Sequence, residues 1–465
     1  MIVLQDRTSP AMAALAPPDG MESPRRQWAV FAVLLGTFLA TLDAAIANIA
    51  VPVIAHEFGS TASTSIWVVN AYQLAVGVAV LPLAALGERL GYKRIFMSGV
   101  AVFTLASVAC AMAPSIGALI AFRVLQGLGG ACVSALTPAL LRHAFPHRMI
   151  GRGISLLALV VAISSSLGPS AAAAILRVAD WRWLFGVNIP VGVCVLMLTS
   201  LALPRLEGVA RPFDTVGALL GGVTLTLLII GVGGLGDRAA TPYALAELGA
   251  ALVFGGVLCV HTKRAAAPLV PVDLLRIPVF SLSMITSICS YAAQALALIS
   301  LPFLLEHQFA RSTSIAGLLI TPWPLAIVFI APIAGRLSDR YPGGVLGSIG
   351  MLVLAVGLAL TATMPFSATD AQIAWRILLC GIGFSLFQTP NNRMLLTAGP
   401  RERSGAAGGM MTMARLIGMT LGAAVAALLF ALSADHGGVM ALVAGAVFAV
   451  AGGVASCLRL VSARR

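Results

Sequence analysis

The sequence predicts an all-α integral membrane protein of fourteen transmembrane helices, built as two six-helix bundles with two extra helices between them. Three observations predict it. Of 465 residues, 59% are hydrophobic and only 10% are charged, a balance that belongs in a bilayer. Fourteen continuously apolar runs follow, at 28–51, 65–86, 95–112, 116–140, 153–176, 183–203, 214–235, 244–262, 279–302, 314–334, 345–364, 374–396, 405–430 and 438–458. A helix needs about 20 such residues to cross the hydrocarbon, whereas barrel strands alternate polar and apolar over about ten, so helices are the reading. Lastly, with the N-terminus inside, 22 of the 29 Lys and Arg residues fall in inner segments. Five fall outside (Arg177, Arg182, Arg238, Arg311, Arg376), and two, Arg123 and Arg415, lie within spans. That bias orients a membrane protein and puts both termini in the cytoplasm, as an even number of crossings requires.

The same distribution excludes several function classes. The formal net charge of +12 is spread over alternate loops rather than gathered on one face, so it does not mark a nucleic-acid binder. The seven cysteines (110, 132, 194, 259, 289, 380 and 457) all fall in spans without paired spacing, which fits reduced core residues rather than disulfides or metal ligands. His143 and His147 are four apart with no third ligand nearby, so no metal is expected. No nucleophile, base or phosphate-binding loop has suitable spacing, and the chain does not read as an enzyme. Residues 1–27 are Pro-rich and polar and read as a disordered cytoplasmic tail rather than a cleavable signal, with Met21 as good a start as Met1.

Taken in order, the spans carry distinct features. Span 1 contains TLDAAIANIAVP, in which Asp43 is the one charge of the run. Placing an ionised Asp at mid-membrane costs about 2.5 to 3.5 kcal/mol, so such a residue faces a partner or a watery cavity. Span 2 ends in PLAALGERLGYKR, where a tight turn at Gly91 sets Glu88 among Arg89, Lys93 and Arg94. Span 4 opens with RVLQGLGG, and Arg123 enters the membrane about two turns deep. It needs a partner there, either Asp43 or a cluster of carbonyls, unless it snorkels to the outer interface. Span 5 holds Gly168 and Pro169, and the missing Pro N–H permits a bend. Arg415 in span 13 suggests only a structural role.

The chain then repeats itself. Span 10 ends in APIAGRLSDRYPGG, which superimposes Asp339 and Arg340 on Glu88 and Arg89, 251 positions apart. Span 12 opens with RILLCGIG, setting Arg376 against Arg123, 253 positions apart. Two motif pairs at nearly one spacing mark a duplicated six-helix unit. The expected organisation is a tail (1–27), an N-terminal bundle (28–204), a two-helix linker insertion (205–278), a C-terminal bundle (279–460) and a short cytoplasmic tail (461–465).

These motifs carry a resemblance. TLDAAIANIAVP, the run from Trp67 to Arg94, RVLQGLGGA, LGPSAAAA and WRWLFGVNIPVG, in that order on spans 1, 2, 4, 5 and 6, resemble the fourteen-helix drug:proton antiporter branch of the major facilitator superfamily. The likeness covers essentially 28–460. It departs at Ala84, Glu88 and Tyr92 in the loop motif, and at Ala172 and Ala173, where the span 5 motif usually has a Gly pair. The resemblance implies a major facilitator fold, an antiport role for Gly168 and Pro169, and proton coupling at Arg123. Glu88 is expected to meet the N-terminus of span 13 near Ser404 and Gly405 and hold an inner gate, with Asp339 as its echo, or else to be a solvated loop charge. Asp43 is the candidate for the proton, for a substrate cation, for each in turn, or for a static salt bridge.

Trp67, Asn70, Tyr72, Gln126, Tyr291, Gln294 and Trp323 are expected to line a substrate cavity. The sequence therefore reads as a monomeric, proton-driven exporter of amphipathic, monocationic drugs or biocides in the inner membrane, working by rocking bundles and needing no cofactor. A dedicated exporter of a metabolite or antibiotic, and a non-transporting sensor or scaffold, are the alternatives.

Overall fold

A computed structural model describes residues 20–462, except 61, 205–207, 210–211, 235–240, 266–267, 312, 366 and 434–435. Among the described residues, fourteen helices are long and apolar enough to cross a membrane. They are α1 (Arg25–Glu57), α2 (Ala62–Leu90), α3 (Tyr92–Ala111), α4 (Ile116–Ala144), α5 (Ile150–Val178), α6 (Arg182–Gly186 and Asn188–Ala202), α7 (Thr215–Gly234) and α8 (Thr241–Arg264). The second half supplies α9 (Pro278–Phe303), α10 (Thr313–Ile320 and Pro322–Ser338), α11 (Gly343–Ala362), α12 (Asp370–Thr397), α13 (Ser404–Leu432) and α14 (Gly437–Ser462).

One detail differs from the sequence reading. Residues 21–27 are not a disordered tail, because α1 already begins at Arg25 and the segment before it docks on the bundle. The Met21 amide donates to Ala144 O at 2.9 Å, its side chain packs on the core, and Arg25 Nε donates to Ala202 O at 3.0 Å. Residues 1–19, with Met1 and Arg7, lie outside the described residues, as do Arg205, Arg211, Arg238, Arg464 and Arg465. Helix α5 continues through Gly168 and Pro169 without interruption, and the Pro169 side chain lies outside the described residues.

The duplication is visible in the packing. Gly127 on α4 lies on the Tyr72 backbone and the Ala75 methyl of α2; Gly381 on α12 lies on the Trp323 backbone and the Ala326 methyl of α10. Gly129 seats against Gly99 and Phe103, and Gly383 against Gly350 and Leu354. Small residues let the helices approach where lipid supplies no hydrophobic drive. The same geometry matches Gly168 on Ala45 with Gly422 on Ala295, and the Thr37–Thr137 hydrogen bond with the Asn391–Ser287 one. Equivalent positions therefore lie 250 residues apart on α1 and α9, 251 on α2 and α10, and 254 on α4 and α12 and on α5 and α13.

The halves meet where α5 packs on α10 and where α13 packs on α2 and α4. Helices α7 and α8 pack on each other and reach the bundles through α2 and α13. Their most apolar windows are only 11% buried, which suits helices with lipid on most sides. The ends of α2, α4, α10 and α12, with the start of α13, gather Arg89, Arg142, Arg340, Arg393 and Arg403 on one basic face.

Candidate functional site

Asp43 lies on α1 and Arg123 on α4, and Arg123 Nη1 donates to Asp43 Oδ2 at 2.6 Å. Both are sealed from solvent, at 1% and 0% exposure. The other carboxylate oxygen accepts from Gln126 Nε2 at 3.0 Å and Asn188 Nδ2 at 2.7 Å. Arg123 Nε donates to Val68 O at 2.9 Å, its Nη1 also reaches Gln126 Oε1 at 2.5 Å, and Gln126 Nε2 donates to Ser107 Oγ at 2.8 Å. The network thus joins α1, α2, α3, α4 and α6 within one half. A charge buried in hydrocarbon is tolerable only when paired and hydrogen-bonded in this way.

Tyr72 closes this network. Its ring centroid sits 4.4 Å from the Arg123 guanidinium carbon, and its hydroxyl donates to Ala40 O at 3.3 Å. Gly130 makes the room, since a side chain there would collide with the Tyr72 hydroxyl. Gln126 and Tyr72 therefore belong to the ion pair and not to a substrate cavity. Trp67 and Asn70 also miss the cavity: both are exposed, one turn from each other on α2, and neither lines it. Asn188 lies in the WRWLFGVNIPVG motif, but neither it nor Ser107 carries a charge whose burial would single it out in the sequence.

The cavity lies between the halves. It has a volume of about 450 Å³, within the range of drug-sized sites. Thr37, Thr137 and Ala162 represent the N-terminal half, while Tyr291, Gln294 and Trp323 line the other side, as do Phe384, Gln388 and Arg415. Gln388 Nε2 donates to Tyr291 Oη at 3.0 Å.

At the basic face the halves are latched together. Glu88, at the end of α2, accepts from the Ala406 amide at 2.6 Å and from Arg403 Nη1 at 2.9 Å. The first turn of α13 thus presents its unsatisfied N–H groups and positive dipole end to a carboxylate. Arg403 also forks onto Asp273 with two bonds of 2.8 Å, which brings the linker segment into the latch. Tyr92 adds to it, donating to Glu402 O at 3.2 Å and accepting from the Gly405 amide at 3.1 Å. Arg142 donates to Gly399 O at 2.8 Å and to Ser404 Oγ at 3.1 Å. Gly91 turns the chain at φ 97°, a conformation that favours glycine.

The remaining motif charges do other things. Lys93 Nζ ties α3 to the end of α6 through Ser200 O at 2.8 Å and Leu203 O at 2.6 Å, while Arg89, Arg94 and Arg340 stand exposed. Asp339 faces the Gly151 end of α5, with Arg393 Nη1 at 3.4 Å. Burial pushes its carboxyl above the usual range, against the pull of Arg393, the Gly151 amide and Arg152. For Asp273 burial also pushes upward, but hydrogen bonds and charge from Arg403 outweigh it and hold the carboxyl below that range.

The Arg123–Arg376 match does not survive. With Gly127 on Gly381, Arg123 falls on Ile377, and Arg376 is one residue out of register, donating to Gln372 O on its own helix at 2.7 Å. By the same registers Asp43 corresponds to Ala293 and Gln126 to Cys380. Ala293, Ile377 and Cys380 are all at most 1% exposed.

A family description, Major Facilitator Superfamily, matches residues 33–423. The chain belongs to the Major Facilitator Superfamily. It is 43% identical over 448 residues to the uncharacterized transporter YebQ of Escherichia coli (strain K12), spanning 96% of this chain and 98% of that one. It is 33% identical over 396 residues to multidrug resistance protein Stp of Mycobacterium tuberculosis (strain CDC 1551 / Oshkosh), spanning 84% and 73%. The human organic anion transporter MFSD10 has the same fold, with a TM-score of 0.66 over 94% of this chain and 100% of that one. At 14% identity that likeness concerns the fold alone. With fourteen spans and these relatives, the chain aligns with the drug:proton antiporter branch and is a membrane transporter rather than an enzyme.

Proposed function

We propose that this superfamily member is a proton-coupled exporter of amphipathic, drug-like molecules, working by alternating access as a monomer in the cytoplasmic membrane with its basic face inside. One observation carries the reading: a cavity of about 450 Å³ is shared by both halves, and the basic face below it is shut where Glu88 of one half bonds to the start of α13 in the other and Asp339 faces the start of α5 in return. Rocking the halves must break the Glu88 bonds to Ala406 and Arg403, so the latch is a gate in the cytoplasm-closed state.

Asp43 supplies the coupling. A proton arriving on its carboxylate removes the charge that holds Arg123, Gln126 and Asn188, and so loosens a network joining five helices. Gly168 on α5 packs directly on Ala45, two residues from Asp43, and the same helix meets α10 of the other half. That contact gives the loosening a route to the interface.

The monocationic cargo expected from the sequence is not supported. Asp43 is saturated by three donors and stands outside the cavity wall, so it is not placed to neutralise a bound cation. The test is protein in liposomes under an imposed pH gradient, offered cationic, neutral and anionic fluorescent amphipaths, with wild type beside Asp43→Asn. Gradient-driven flux in wild type and none in the variant is expected. Equal flux in both, or none in either, overturns the proposal.

A further inference from the structure

Arg415 is the one charged residue on the described wall of the central cavity. It sits eleven residues into α13, roughly 17 Å along the helix and near the middle of the bilayer. No hydrogen bond or ion pair engages it among the described residues. A guanidinium at that depth is expensive, and such residues mark ligand or ion pathways. The fold does not ask for a cation here, since the equivalent position on α5 is Val161, which lines the same cavity.

Among the described residues no carboxylate neutralises it. Asp43 is locked behind Tyr72, and Glu88 and Asp339 are engaged at the basic face. The wall beside it is aromatic: Tyr291, Trp323 and Phe384 all line the cavity. An unpaired cation beside such rings describes a site short of one anionic acceptor carried on an apolar body.

We infer that the cargo is an amphipathic organic anion whose carboxylate or sulfonate pairs with Arg415 while its apolar body lies against Trp323 and Phe384. This rests on the central cavity being the cargo site, and it deepens the efflux reading by fixing the charge of the cargo. Arg415 offers two parallel N–H groups to a planar acid group, a match that an ammonium cargo would turn into repulsion.

The experiment measures binding to purified protein in detergent with no pH gradient, so it is independent of whether the chain pumps. Three probes share one body: 2-naphthylacetate, 2-naphthylacetamide and 2-naphthylmethyl-trimethylammonium, titrated calorimetrically. In wild type the carboxylate should bind about tenfold or more tighter than the amide, the scale of one charge-assisted hydrogen bond, with the ammonium weakest. Arg415→Gln should remove the preference for the carboxylate and leave the amide unchanged, and Arg415→Lys should keep part of it. Ammonium binding equal to carboxylate binding in wild type, an unchanged carboxylate-to-amide ratio in Arg415→Gln, or no binding of any probe to folded protein overturns the inference. The wild-type ratio needs no variant to fold. Selective binding of the carboxylate without gradient-driven flux would sink the efflux reading and leave this one standing.

Discussion

The N-terminal half buries Asp43, Arg123 and Gln126 at the positions where the C-terminal half buries Ala293, Ile377 and Cys380. Both solutions fill the same place between equivalent helices, and both exclude solvent. Apolar residues in place of a buried ion pair are often neutral or stabilising by a few kcal/mol, because desolvating two charges is costly. The C-terminal half shows that this fold closes well without the pair, so the pair is kept for something other than closure. The reverse asymmetry holds at the cavity, where α13 places Arg415 and α5 places Val161. Each half thus holds a charge that the other omits, one sealed and neutralised, the other facing the cavity and unpaired.

The largest expected effect comes from giving the N-terminal half its partner's solution. Asp43→Ala, Arg123→Ile and Gln126→Cys together should fold with stability within about 2 kcal/mol of wild type and lose all gradient-driven flux, as measured by detergent unfolding and liposome transport. A triple variant that still pumps would break the comparison. Arg123→Ile alone should cost about 3–5 kcal/mol by leaving a buried carboxylate without its cation, whereas Arg415→Ile, which breaks no pair, should cost far less; unfolding curves of the two decide it.

Next come the latches, which also differ. Glu88→Gln should weaken the closed gate by about 1.5–3 kcal/mol, the worth of bonds to a charged group, and Asp339→Asn by less. The readout is thiol labelling from the basic face of a cysteine placed at Thr137, with the seven native cysteines removed. Equal labelling in both variants would show that the two turns do one job.

The smallest effect is in pH. Because Asp273 titrates lower in the folded state, its contribution is complete above about pH 3.9, the ordinary Asp value, and fades as pH falls through its lowered folded value. Asp339, titrating higher, has the opposite sign: its destabilisation sets in as pH rises through the raised value. Asp273→Asn should therefore remove acid loosening of the latch without altering its behaviour at neutral pH beyond the loss of that arm.

Much of the fold was legible because hydropathy reports the cost of each residue against lipid, and that cost decides where helices cross. The Asp43–Arg123 pair was legible for the same reason, as two expensive charges in one half. What each residue faces is a different quantity. Trp67 and Asn70 share a helix with Tyr72, yet they stand exposed while Tyr72 is buried over Arg123, and composition is blind to that rotation. Asn188 was hidden because an amide near a span end is cheap. Arg415 was visible as a charge within a span, and only the cavity beside it and the absence of a carboxylate show what it lacks. Arg376 misled because matching letters outweighed a one-residue shift, which on a helix turns a side chain by about 100°.

The sealed pair has an electrical consequence. A charge crossing the membrane field gains or loses about 2.3 kcal/mol per 100 mV, but Asp43 and Arg123 sum to zero and lie 2.6 Å apart. However the N-terminal half tilts, the membrane voltage does almost no work on it while the pair is intact. Under the proposed mechanism, voltage sensitivity in the reorientation step then comes from whatever charge Arg415 and its cargo leave uncancelled, and from the proton at the moment it separates Asp43 from Arg123.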